Sequence, residues 1–106
     1  MYIAMNRFKV NKGNEAEFET IWRERESRLK ELPGFVEFHL LKCDTDKDEN
    51  TSLYSSHAVW KDREDFISWT KSEQFRDAHK GAGERRHVFA GPPHFEGFEV
   101  ILSEKA

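Results

Sequence analysis

Four segments of the chain alternate apolar and polar side chains with the two-residue period of β-strands, whereas only two stretches carry the broader apolar stripe of a helix. The strands are read at residues 2–10, 35–43, 52–60 and 94–102, and the helical regions at about 14–32 and 62–80. The order β-α-β-β-α-β predicts a ferredoxin-like α+β fold. Two helices cover only one face of a four-stranded sheet, yet the strands offer apolar residues on both. Val36, Phe38 and Leu40 oppose Phe35 and Leu41, and Phe98, Val100 and Leu102 oppose Phe95 and Ile101. The second face needs a cover, and another copy of the chain supplies it most simply. A homodimer with its sheets packed together is therefore expected.

Local chemistry sets the boundaries. In the first strand Tyr2, Ala4, Asn6, Phe8 and Val10 share one face. Asn14 and Glu17 have the spacing of a capping pair, opening a helix that runs to about Leu32 and buries Phe18, Ile21, Trp22, Leu29 and Leu32. Pro33 and Gly34 stop it. The acidic segment "DTDKDEN" separates the second and third strands as a solvated loop. Asp62 caps the second helical region, and Ser72 restarts it after a kink, giving pieces at 62–71 and 72–80. A loop rich in Gly and Pro follows, and Gly97 in the last strand predicts a bulge or a close approach.

At 106 residues the chain is expected to form one domain, 1–106, too small to hold separate cofactor and substrate modules. A net charge of −3, with Lys and Arg interleaved among acids, gives no basic footprint for nucleic acid. The opening "MYIAMNRFKV" meets polar residues by position 6, so neither the apolar run of a signal sequence nor a membrane span is expected in it. Cys43 is the sole cysteine, which excludes an intrachain disulfide and suits a reducing, cytoplasmic setting. Beside the acidic loop its thiolate is disfavoured as a ligand.

Three residues are candidates for chemistry. Asn6 is a carboxamide on an apolar strand face, where burial without partners costs on the order of 1–3 kcal/mol. It either ties down nearby backbone or faces a ligand. His79 lies at the end of the second helical region, as a capping residue or as a metal ligand. Trp69 continues the apolar stripe begun by Phe66, as core or as the wall of a pocket; on an unbroken helix it would stand roughly 80° from His79, and a kink at Ser72 brings the two together. His39, His57, His87 and His94 have no recognised metal-ligand spacing, and nucleotide-binding and hydrolase motifs are absent.

Taken together, "NRF" at 6–8, "LPGF" at 32–35, "VWKDREDFISWTKSEQFRDAHK" at 59–80 and "FEGFEV" at 95–100 resemble the IsdG-type haem-degrading monooxygenases of the antibiotic biosynthesis monooxygenase superfamily. The resemblance covers nearly the whole chain and implies a dimeric ferredoxin-like α+β barrel. It further implies that His79 ligates haem iron, that Asn6 donates a hydrogen bond on the side where dioxygen binds, and that Trp69 presses on the porphyrin and buckles it. Haem is then both substrate and cofactor, consumed with O2 and electrons from an external reductant, through a separate reductase or a small molecule. Arg25 is the first choice to pair with a haem propionate, ahead of Arg28, Arg85 and Arg86. The alternatives are a cofactor-independent quinol or polyketide monooxygenase of the same superfamily and a non-catalytic haem-binding protein.

Overall fold

The computed structural model describes residues 1–25, 28–45, 48–79 and 86–106. Its elements are β1 (Tyr2–Asn11), α1 (Glu15–Glu24), β2 (Phe35–Lys42), β3 (Thr51–Trp60), α2 (Arg63–Thr70), α3 (Glu73–Ala78) and β4 (His94–Glu99). The strands form one antiparallel sheet in the order β2-β3-β1-β4, as the ferredoxin-like reading expects. The second helical region is broken where Ser72 predicts.

Residues paired across antiparallel strands share a face. Tyr2, Ala4, Asn6, Phe8 and Val10 of β1 therefore stand beside Trp60, Ala58, Ser56, Tyr54 and Ser52 of β3. The helices cover this face and make two aromatic-rich clusters. One gathers Tyr2, Leu29, Trp60 and Phe66, and the other Val10, Phe18, Tyr54 and Val88. Phe18 is fully buried, with its ring centroid 4.6 Å from that of Tyr54. The opposite face is open in the single chain. Val36, Leu41 and Phe98 are there 41–43% exposed, so the two-sided apolar patterning is real.

Four details differ from the sequence reading. The first helix ends at Glu24 instead of Leu32; Arg25 is extended, and a separate 3-10 turn spans Leu29–Glu31. The break lets Leu29 reach the Trp60 cluster while Phe18 fills the Tyr54 cluster. Asn14 makes no side-chain cap; the Glu15 carboxylate instead accepts from the Gly13 N–H at 2.6 Å and the Ser52 hydroxyl at 3.0 Å. Its own backbone N–H first, then those bonds from Gly13 and Ser52, hold the Glu15 pKa below its ordinary value. In β2 a bulge between Phe35 and Glu37 breaks the alternation, so Phe35 packs on Trp60 with Phe38 nearby and Val36 turns outward. β4 stops at Glu99, leaving Ile101 and Leu102 94% and 79% exposed. Gly97 pairs in regular register with Ala4, and its role is close approach: the Tyr2 phenol occupies the place a Cβ would take.

Candidate functional site

A cleft of about 710 Å³ lies between the helix-covered face of the sheet and the helices, within the range of small-molecule sites. Its floor explains why it exists. Ala4 pairs with Ala58 and Asn6 with Ser56, so two adjacent strands present small side chains together. The space above them stays open. Ile21, Trp22 and Arg25 form one wall, Phe66, Trp69, Phe75 and His79 a second, and Phe89, Pro92 and Phe95 a third. Trp22 is stacked on Phe38 at 5.6 Å with ring planes 12° apart, which fixes the first wall against the sheet.

The second wall is built by two caps. The Asp62 carboxylate accepts the Asp65 N–H at 3.1 Å and starts α2. The Ser72 hydroxyl donates to the Trp69 carbonyl at 2.6 Å and accepts the Phe75 N–H at 3.1 Å, so one side chain closes α2 and opens α3. The kink brings the rings together: Trp69 and Phe75 lie 4.9 Å apart, Phe75 and His79 4.1 Å, and Trp69 and His79 6.1 Å. Replacement of Ser72 by Ala is expected to destabilise the protein by about 1 kcal/mol, measured by urea denaturation, because the Phe75 N–H loses its cap, while the Trp69 carbonyl keeps the Ser72 N–H at 2.9 Å.

His79 ends α3, and its Nδ1 lies 2.8 Å from the Phe75 carbonyl oxygen. A carbonyl only accepts, so Nδ1 carries the proton and Nε2 keeps a lone pair. The residue is solvent-exposed overall, yet its ring rests against Phe75 and lines the cleft. Desolvation lowers the imidazole pKa below 6.5; the Phe75 carbonyl opposes this, and the Arg25 charge adds to it. The ring is thus a neutral, oriented donor at neutral pH.

Asn6 stands half-buried on the cleft floor, and its Oδ1 is buried with no hydrogen-bond partner among the described residues. It ties down no backbone through that atom. The Trp69 Nε1 is likewise buried without a partner there, although its ring packs on the Trp60 cluster. Arg25 lies over the Trp22 ring at 4.4 Å and lines the cleft; burial lowers its pKa to about 10, so it remains a cation at neutral pH. Among the described residues no carboxylate pairs with it. Arg86 also lines the cleft. Arg85 lies outside the described residues. Arg28 does not line it, because Glu31 and Asp77 engage its guanidinium.

The remaining polar candidates sit elsewhere. His39 and His57 are neighbours on the opposite sheet face, His87 pairs with Glu17 at 2.7 Å, and Cys43 lies at the end of β2 beside Thr45. Among the described residues no cluster of three or more His, Cys, Asp or Glu could hold a bare metal ion. The sequence reading did not single out Ser56, Phe38 or Phe75 as site residues. The small-residue run "SSHA" in β3, aligned with Ala4 and Asn6, was the available signal for the floor.

A family model described as antibiotic biosynthesis monooxygenase matches residues 1–81. A heme-degrading monooxygenase of Bacillus cereus is 31% identical over 83 residues, 78% of this chain and 75% of its own. A staphylobilin-producing heme oxygenase of Staphylococcus saprophyticus is 32% identical over 83 residues, 76% of this chain and 75% of its own. Among solved structures, the heme-degrader MhuD of Mycobacterium tuberculosis, with two hemes bound in its active site, matches with a TM-score of 0.73 and 27% identity over 99% of this chain and all of that one. The family match spans β1 through His79, and so includes the cleft floor, both caps and the oriented imidazole: the chain belongs to the antibiotic biosynthesis monooxygenase family of enzymes.

Proposed function

We propose that this protein is a haem-degrading monooxygenase that takes haem as its substrate in the cleft and opens the porphyrin ring with dioxygen and externally supplied electrons, giving a bilin-type product and free iron. The observation that carries the reading is the His79 imidazole, held through Nδ1 with its lone pair on Nε2, on the same apolar cleft as the Asn6 carboxamide, whose Oδ1 has no partner among the described residues. Cleft and ligand fit in chemistry. The apolar walls suit a flat macrocycle, Nε2 suits its iron, and the cations of Arg25 and Arg86 suit its carboxylates.

Bound haem supplies the iron at which dioxygen is activated and the carbon that is attacked. The protein's residues do the rest. Phe75 and Ser72 orient His79, the Asn6 carboxamide offers a fixed dipole where charge develops, and the Trp69 ring bears on the bound macrocycle. Water is excluded by the aromatic walls. Electrons come from a separate reductant. The exposed apolar face of the sheet, with Ile101 and Leu102 beyond it, is the surface on which a second copy packs in a homodimer; light scattering is expected to give twice the chain's mass. The lone Cys43 suits a cytoplasmic setting.

Haemin added to the purified protein is expected to give a stoichiometric shift of the Soret band. Reductant and air should then bleach that band, yield bilin absorption and release iron to a chelator, with the product identified by mass spectrometry. Absence of any shift would point instead to metal-free oxidation of a quinol or polyketide, and a band that persists under turnover conditions to haem carriage. Affinity should also depend on pH in a set direction. Only neutral imidazole ligates, and desolvation holds the folded pKa below 6.5, so affinity should be level at pH values well above that pKa. It should fall about tenfold per pH unit once below the His79 pKa, as protons compete for Nε2.

A further inference from the structure

We infer that Arg28 is a positioning residue that, through Asp77, fixes the end of α3 and hence sets His79 at its distance from Arg25. The guanidinium is shared between two carboxylates. Nε and Nη2 donate to Glu31 at 2.8 and 3.3 Å in a fork, and Nη1 donates to Asp77 at 3.1 Å, a residue 49 positions away and two before His79. The fork holds the plane of the guanidinium and so aims its remaining edge at α3.

The backbone shows what the contact is for. Arg28 has φ 53° and ψ 21°, and among the described residues it alone, apart from glycines, has positive φ. An L-residue enters that region at a free-energy cost, and glycine would enter it freely. The side chains of the pair are 38% and 50% exposed, and such ion pairs add little to stability. At Arg28 the left-handed turn and the carboxylate fork together direct the guanidinium edge to α3, so the contact bears on placement more than on stability.

Placement matters here because α3 has only six residues, too few to be stable in isolation, and relies on its neighbours: Phe75 packs on Trp69, Ala78 is buried, and Arg28 engages Asp77 between Phe75 and His79. Ser72 anchors its start and Arg28 its end. Arg25 lies three residues before Arg28, on the same connection, and faces the cleft that His79 faces. The ion pair therefore joins the segment bearing the anion-binding cation to the segment bearing the iron ligand. A rigid macrocycle has a fixed separation between its carboxylates and its metal, so the two protein groups must keep a matching one. The ligand in this inference rests on the haem reading above; the hold on His79 does not.

The test uses Arg28→Gly, Asp77→Asn, their double variant and Asp77→Glu. In the ligand-free protein the His79 ring Cε1–H resonance should shift and broaden in the first three and return toward the parent in Asp77→Glu. The urea midpoint of Arg28→Gly should stay level or rise, since glycine relieves the backbone strain. Haemin affinity, followed by the Soret band, should fall roughly three- to tenfold in Arg28→Gly and in Asp77→Asn, with no further loss in their double variant and a return toward the parent in Asp77→Glu. A parent-like His79 resonance in Arg28→Gly would reduce Arg28 to a turn residue and overturn the inference. Failure of the parent to bind haemin would overturn the haem reading alone, because the ligand-free resonance still decides the role of Arg28.

Discussion

Replacing His79 with Ala is expected to remove the stoichiometric Soret shift and to lower haemin affinity on the order of 100-fold or more, equivalent to about 2.7 kcal/mol of lost ligation. The loss should be confined to the metal. The cleft walls are apolar and aromatic, and burial of a flat macrocycle against them continues to favour binding at roughly 25 cal/mol per Å² of apolar area. Iron-free porphyrin should therefore bind the parent and His79→Ala alike. Added imidazole should restore a ligated spectrum in the variant, entering the space the side chain vacates. An unchanged haemin spectrum in His79→Ala would place the iron on another ligand and remove the central support of the proposed function. Folding is not the confounding factor, because the residue is exposed, its side chain's one described hydrogen bond is to the Phe75 carbonyl, and alanine keeps the backbone bonds to Phe75 and Arg76.

The parts of this site that could be read from the sequence are those governed by local chemistry. The strand period placed Asn6 on the face of Ala4 and Phe8, which is the cleft floor. Ser72 was legible as a helix start because its hydroxyl satisfies a backbone donor three residues on, and the kink that joins Trp69 to His79 follows from it. The parts that escaped depend on contacts between distant residues. The end of α1 is set by the pull of Leu29 into the Trp60 cluster, which no window around Leu29 contains. Val88 lay in a segment read as loop, yet it is fully buried because the chain returns to bridge Val10 through Phe89. The cleft itself arises from the register that sets Ala4 against Ala58 and Asn6 against Ser56; each residue alone is unremarkable, and only strand pairing turns four small side chains into a cavity. Arg28 looked like Arg25 in sequence, and the structure separates them by their partners: carboxylates for one, an indole ring for the other.

Replacement of Asn6 by Ala should leave haemin affinity close to that of the parent and lower turnover by about 10²–10³-fold, the usual consequence of deleting one preorganised dipole at a site of developing charge. The same variant makes a second, opposite prediction about stability. Truncating a well-packed polar residue costs a protein its hydrogen bonds, but the Asn6 Oδ1 is buried and has no partner among the described residues. Removing a desolvated, unpaired carbonyl relieves a cost of about 1–3 kcal/mol, offset in part by the packing lost with the carboxamide. The urea midpoint of Asn6→Ala should therefore equal or exceed that of the parent. Gained stability with lost turnover identifies a group kept for chemistry at the expense of the fold. A fall in both would instead make Asn6 a structural residue, and parent-like turnover would take it out of the reaction.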